Sequence, residues 1–201
     1  LKQQIPYYLT AEDQKILVNE LKAISAGEGA SYFLSDYNND FGSAMLQGDG
    51  WRGFKVCLLE KGELRSVRGL VLSNSCDVDL NNKRDLPSRV IFAPIVKLSI
   101  FEKILKDSGI DDGKITEKLS AIRSQRTTNI FYLPAGGPLK EDHLIRFDET
   151  HSMPLSLYND SDEKEKLFTL SNTGFYMLIL KLSVHFCRLQ ENINRGGRTE
   201  Y

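Results

Sequence analysis

The stretch that decides the fold is residues 62–99, which read GELRSVRGLVLSNSCDVDLNNKRDLPSRVIFAPIVKLS. Two runs rich in apolar and β-branched residues flank a polar centre, which is the pattern of two strands separated by a loop. We predict strands over 64–73 and 89–95 in one sheet. Because another apolar run precedes Gly62-Glu63, we predict a hairpin turn at that pair.

Outward from this stretch, the chain alternates short apolar runs with turn residues. These runs predict further strands, at 54–59, 129–133, 144–147 and 167–170. Helical spacing of apolar residues predicts a helical insertion over about 98–125 and a long C-terminal helix after Ser171. Short, mostly antiparallel strands with helices inserted late predict a mainly β protein with added helices, of the α+β class, built as a small barrel.

The two ends of the chain differ in composition from its middle. Thr10 is followed by acidic residues and then by apolar residues at helical spacing, which predicts an N-terminal helix that leads into a Gly- and Asn-rich loop. We predict a helical arm over 1–50, a barrel domain over 51–193 and a flexible basic tail over 194–201. The last helix is apolar on two sides, so we expect it to pack against the sheet and against a second element or subunit.

Composition excludes several classes of protein. The 201 residues are 41% hydrophobic and 26% charged, which excludes a disordered tail, a collagen-like repeat and a coiled-coil rod. Charged and polar residues interrupt the most apolar segment, 175–187, so we expect no membrane span.

Three cysteines at wide spacing fit neither a disulfide framework nor a zinc site, which favours a reduced, cytoplasmic protein. Phosphate-binding-loop, dinucleotide-binding and zincin motifs are absent from the sequence, and we predict no cofactor.

Charge is distributed unevenly along the chain. The net charge is −1, but residues 1–50 hold three Lys or Arg against seven Asp or Glu, whereas residues 51–100 hold nine against five. A basic middle on a neutral chain is compatible with a local phosphate-binding face. It is also compatible with lysines and arginines that protect exposed strand edges from aggregation.

Residues 62–99 resemble the core of the MazF/PemK-type toxins. The matching elements are Gly62-Glu63, Arg68, Val71-Leu72-Ser73 and Ala93-Pro94-Ile95. The resemblance implies an SH3-like barrel, a toxin-like or phage-defence-associated role in binding or cutting RNA or DNA, and a homodimer. Residues 71–77 also resemble uncharacterised bacterial proteins with a V-L-S-x-x-C-D motif. The chain departs from the toxin pattern at Gly69, where the toxins have Pro, and at Val96, where they have Thr or Ser.

Arg68 is the leading candidate for binding and catalysis. An arginine in a strand offers a planar fork for a phosphate, and Gly69 beside it allows a ligand or another backbone to come close. Ser73, Arg84 and Arg89 extend this predicted nucleic-acid-binding face. The alternative for Arg68 is a cross-strand ion pair, for example with Glu63 or Asp77.

Cys76, Asp77 and Asp79 form a second group of candidates. Cys76 and Asp77 are candidate catalytic residues, the thiol as nucleophile and the carboxylate as general base. Along an extended chain Ser73, Ser75, Asp77 and Asp79 would share one face, where the two carboxylates could hold Mg²⁺. The alternatives are a structural Asp turn and a packed thiol. We predict that Cys57 and Cys187 lie in the core.

Three functions remain open on the sequence. The first is a toxin-like module that binds nucleic acid through the 62–99 face, either with or without ribonuclease activity. The second is a non-catalytic module that binds a protein partner through the barrel and the last helix. The third is a thiol- or metal-dependent hydrolase centred on Cys76, Asp77 and Asp79.

Overall fold

The structure, a computed structural model, describes residues 32–35, 42–58, 60–79, 81–82 and 85–186. The predicted N-terminal helix, the predicted tail over 194–201, Arg84 and Cys187 lie outside these residues. The described residues form eight strands: β1 Gly50–Leu58, β2 Glu63–Val71, β3 Arg89–Pro94, β4 Val96–Lys97, β5 Ile130–Leu133, β6 His143–Arg146, β7 His151–Pro154 and β8 Glu165–Phe168. They also form five helices: α1 Ser75–Val78, α2 Leu98–Asp107, α3 Asp112–Arg123, α4 Leu155–Asn159 and α5 Asn172–Phe186.

The strands form two antiparallel sheets, which confirms the α+β class. The larger sheet has the order β7-β3-β2-β1-β8, and the smaller has the order β4-β6-β5. Ile95 separates β3 from β4, so the chain passes directly from one sheet into the other. Within the described residues β7 and β8 are edge strands that do not pair with each other. The expected barrel is therefore not closed by hydrogen bonds.

The hairpin predicted at Gly62-Glu63 is confirmed. The amide groups of Lys61 and Gly62 both donate to the carbonyl of Leu58, and Gly62 has φ +66°, a conformation that favours glycine. β2 and β3 pair in one sheet, as predicted. The helical insertion is confirmed as α2 and α3, and α5 confirms the long C-terminal helix.

Helix α5 packs against residues that precede the sheets in sequence. Tyr32 and Phe33 are buried in one cluster with Met177, Leu178 and Leu180 of this helix. Met177 and Leu180 are thus buried within the chain, without a contribution from another subunit. The homodimer stays a prediction. In the described part of the chain, every helix is too short or too polar to cross a membrane.

A buried ion pair connects the segment before β1 to strand β8. Lys166 donates to Asp49 at 2.8 Å and to the carbonyl of Ala44 at 2.9 Å, and its ammonium lies 5.4 Å from the centre of the Trp51 ring. The Asp49 side chain is completely buried. Its Oδ2 atom also accepts a hydrogen bond from the Leu46 amide. This pair fixes where the chain enters the larger sheet.

Gln125 and Lys181 connect α3, β5 and α5. Gln125 adopts φ +57°, and its side-chain amide donates to the Tyr132 carbonyl at 2.8 Å and accepts from the Tyr132 amide at 3.1 Å. The buried ammonium of Lys181 donates to the carbonyls of Gln125 at 2.9 Å and Thr127 at 2.6 Å. The last helix is therefore attached to the loop that precedes β5.

Lys181 is expected to make stability depend on pH. Burial lowers its pKa to about 8, whereas a lysine in an unfolded chain titrates near about 10.4. Between these values the unfolded chain binds more protons than the folded chain, so the free energy of unfolding rises with pH. From about pH 7.5 to about pH 9.5, the free energy of unfolding of the wild type should rise by about 2 kcal/mol more than that of Lys181→Met. Urea denaturation at each pH measures this difference. The same pH dependence in both proteins would contradict this expectation.

Candidate functional site

The segment after β2 is helical, which corrects one prediction. Ser75–Val78 forms the short helix α1, and the side chain of Asn74 accepts a hydrogen bond from the Cys76 amide at 2.9 Å. Asparagine is a preferred residue at this capping position, and here it turns the chain out of the extended conformation. The predicted alternation of Ser75, Asp77 and Asp79 along one extended face is wrong.

Asp79 has a structural role in the next turn. Its Oδ1 atom accepts hydrogen bonds from the backbone amide of Asn81 at 2.9 Å and from the Asn81 side chain at 3.1 Å. This is the Asp turn that the sequence left open as an alternative. The described residues contain no group of three or more His, Cys, Asp or Glu side chains placed to hold a metal ion. The predicted metal site at Asp77 and Asp79 thus has no third His, Cys, Asp or Glu side chain among the described residues.

The predicted catalytic residues lie at different places on the surface. Arg68 lines a cleft of about 770 Å³ between β1, β2, β4 and the residues that lead into β8. Cys76 and Asp79 line a separate cavity of about 440 Å³ on the side of α1 and α4. Asp77 is exposed and lines neither of them. Arg68 therefore shares neither cavity with Cys76 or Asp77.

Two residues of the predicted nucleic-acid-binding face are used by the sheet itself. The hydroxyl of Ser73 is nearly buried and accepts a hydrogen bond from the Ile91 amide at 2.7 Å. Arg89 donates from Nε to the hydroxyl of Ser152 and from Nη2 to the Ser152 carbonyl, both at 2.9 Å. Arg89 therefore joins β3 to β7, and of the described candidates only Arg68 lines the cleft.

The cysteines differ from their predicted environments. Cys57 is exposed, because β1 alternates and buries Val56 beside it. The prediction that Cys57 lies in the core is wrong. Cys76 is also exposed, so the packed-thiol interpretation does not hold for it.

Gly69 is explained by packing rather than by a ligand. A Cβ atom at this position would lie 2.6 Å from Cδ2 of Phe54 and 2.8 Å from Cδ2 of Phe92. The two rings stack with their centres 4.2 Å apart. Gly69 therefore makes room for two core aromatic rings beside Arg68.

Basic side chains predominate around the cleft. Of the residues that the structure describes, five basic ones line it: Arg52, Arg65, Arg68, Lys97 and Lys164. Three acidic residues line the same cleft: Asp162, Glu163 and Glu165. Apolar residues from β1, β2 and β3, and Ile95 after β3, form much of the remaining surface: Val56, Leu58, Val67, Pro94 and Ile95. The cleft therefore combines an apolar surface with an excess of positive charge.

Ion pairs neutralise part of this positive charge. Arg52 pairs with Glu165 at 2.9 Å, and Lys97 pairs with Glu141 at 2.5 Å. Glu163 accepts hydrogen bonds from Ser66 and Lys55, which together hold the pKa of its carboxyl below the usual value. Arg65 has no carboxylate partner among the described residues.

Arg68 contacts a histidine instead of a carboxylate. Its Nη2 atom lies 3.5 Å from Nε2 of His143, a buried residue at the start of β6. The predicted ion pair with Glu63 or Asp77 is absent from the described residues. Burial lowers the pKa of His143, and the charge of Arg68 lowers it further. A neutral His143 neither neutralises nor repels the positive charge of Arg68.

Sequence reasoning missed Arg65, Lys164 and His143. Arg65 lies three residues before Arg68 on the same strand, an odd spacing that by strand alternation does not predict one shared face. His143 is separated from Arg68 by 75 residues and carries no local signal. A comparison of the chain with protein-family models and with curated proteins finds no match, so the cleft itself is the basis for assigning a function.

Proposed function

We propose that this chain is a nucleic-acid-binding module that holds the phosphate backbone of its ligand in the cleft of Arg65 and Arg68. The observation that carries the proposal is the pair of arginines on β2, neither of which has a carboxylate partner among the described residues. Guanidinium groups bind phosphates through a planar fork of N–H donors. The resemblance of residues 62–99 to MazF/PemK-type toxins, with an open SH3-like sheet and a toxin-like or phage-defence-associated role, supports the same proposal.

The proposal is for binding without strand cleavage. Within the described part of the chain, the one serine hydroxyl that lines the cleft belongs to Ser66 and is hydrogen-bonded to Glu163, and the thiol of Cys76 lines the other cavity. The toxin-like hydroxyl after Pro94-Ile95 is replaced by Val96. Among the described residues, the cleft therefore offers cations for phosphate but no free serine or thiol nucleophile.

Replacing Arg65 or Arg68 is expected to weaken binding to all sequences alike. Each arginine that neutralises a phosphate releases counterions, so Arg65→Ala and Arg68→Ala should each reduce the slope of log affinity against log salt by about one. Fluorescence anisotropy with labelled single-stranded RNA, single-stranded DNA and duplex DNA, from about 50 to about 200 mM salt, measures this slope.

Arg126→Ala is the matched control for these variants. Arg126 is exposed at the end of α3, donates to Ser124 and does not line the cleft, so its replacement should leave the slope unchanged. If none of the three nucleic acids changes its anisotropy on addition of the protein at low salt, the proposal is rejected. The remaining account would then be a module that binds a protein partner.

A further inference from the structure

His143 is held in one orientation by the backbone that precedes it. Its Nδ1 atom lies 2.7 Å from the carbonyl oxygen of Glu141. A carbonyl oxygen has no proton to give, so Nδ1 carries the proton and donates. In the neutral ring, Nε2 then has a lone pair, and this is the atom that lies 3.5 Å from Nη2 of Arg68.

Three charged residues face this imidazole. They are Arg68 on β2, Lys97 on β4 and Glu141 before β6. The carboxylate of Glu141 pairs with Lys97 at 2.5 Å, so these two charges largely offset each other near the ring. Burial has the largest effect and favours the neutral form, in which Nε2 accepts a hydrogen bond from a donor.

We propose that His143 is a positioning residue for Arg68. Its Nε2 atom accepts a hydrogen bond from one N–H group of the guanidinium and so holds the guanidinium in place. This inference rests on the proposed function, because it concerns how Arg68 meets a phosphate in the cleft. A guanidinium has five N–H donors, so those not directed at His143 remain for the ligand. A guanidinium fixed before the ligand arrives loses less conformational freedom on binding. His143 therefore adds to affinity although it is itself buried.

Two replacements of His143 separate positioning from simple packing. The side-chain oxygen of glutamine can accept a hydrogen bond where Nε2 does, whereas leucine cannot accept one. We expect His143→Leu to lower affinity for a labelled single-stranded RNA about three- to tenfold, and His143→Gln to stay within about twofold of the wild type. His185→Gln, which removes a histidine on α5 that does not line the cleft, should have no effect. Equal losses in the leucine and glutamine variants would overturn the proposal.

A measurement without nucleic acid tests the contact by itself. The chain has three histidines, so nitrogen-15 spectra of the wild type and His143→Gln assign the imidazole of His143. We expect a proton on Nδ1 in the neutral ring and a higher pKa for His143 in Arg68→Gln, because the variant removes a neighbouring cation. Arg126→Gln should leave this pKa unchanged.

The spectra and the binding assay test different proposals, so a negative result in one can be told from a negative result in the other. A proton on Nε2, or a pKa of His143 that does not respond to Arg68→Gln, overturns the role of His143 whether or not nucleic acid binds. If the wild type binds no RNA while the spectra show the expected proton on Nδ1 and the expected change in pKa, the proposed function is rejected. The Arg68–His143 contact is then still supported.

Discussion

Lys166→Met is expected to lower the free energy of unfolding by about 3 to 5 kcal/mol, the cost of leaving one partner of a buried ion pair alone. Asp49 is completely buried, and Lys166 is its cationic partner at 2.8 Å. Methionine would fill the space of the lysine stem but leave the carboxylate without this cation. Urea denaturation followed by circular dichroism measures the loss.

Burial already raises the pKa of Asp49, with Lys166 acting in the opposite direction. In the variant the carboxyl should therefore bind a proton more readily in the folded chain than in the unfolded chain. Stability then falls as pH rises through the raised pKa, so the loss should be smaller at about pH 5 than at about pH 8. Lys164→Met is the control, because an exposed neighbour should change stability by less than about 0.5 kcal/mol. A pH-independent loss below about 1 kcal/mol would contradict the expectation.

Gly69→Ala is expected to cost about 3 kcal/mol, the upper end for overpacking a core. The new methyl group would lie 2.6 Å from Phe54 and 2.8 Å from Phe92, and both contacts are with rings that are fully buried. The rings stack on each other, so neither can move away without disturbing the other. Thermal or urea denaturation measures the cost.

Gly62→Ala serves as the matched control for this substitution. A Cβ atom there meets nothing within 4 Å, although φ is +66°. Only the backbone strain of a non-glycine residue remains, which costs about 1 to 2 kcal/mol. If Gly69→Ala proves no more destabilising than Gly62→Ala, the packing explanation for Gly69 is wrong.

Local patterns were sufficient for the elements that carry their own signal. The turn at Gly62, the helical spacing of α2 and α3 and the long stripe of α5 are all visible within short windows of sequence. Helix α1 was missed because its four residues are too few to show a helical period. The one local signal for this helix is Asn74, a residue preferred at the N-cap. Strand β7 was missed because four residues ending in Pro154 show little alternation.

Errors in the site follow from errors in the fold. Arg89 was assigned to nucleic acid because the strand that contains its partner, Ser152, was not predicted. Arg68 was found from its place in a strand, but His143 reaches it only through the pairing of β6 with β4, where His143 lies opposite Lys97. A contact created by strand register over 75 residues has no local sequence signature.

Gln125 affects whether the edge of the smaller sheet can pair with a strand of another molecule. Strand β5 lies at the edge of the smaller sheet, where unpaired backbone groups would attract a strand from another molecule. The side chain of Gln125 occupies both the N–H and the carbonyl of Tyr132, and the amide of Ile130 donates to Thr127 at 3.3 Å. One residue in a left-handed conformation thus imitates a neighbouring strand, and self-association by strand addition at this edge would first have to displace it.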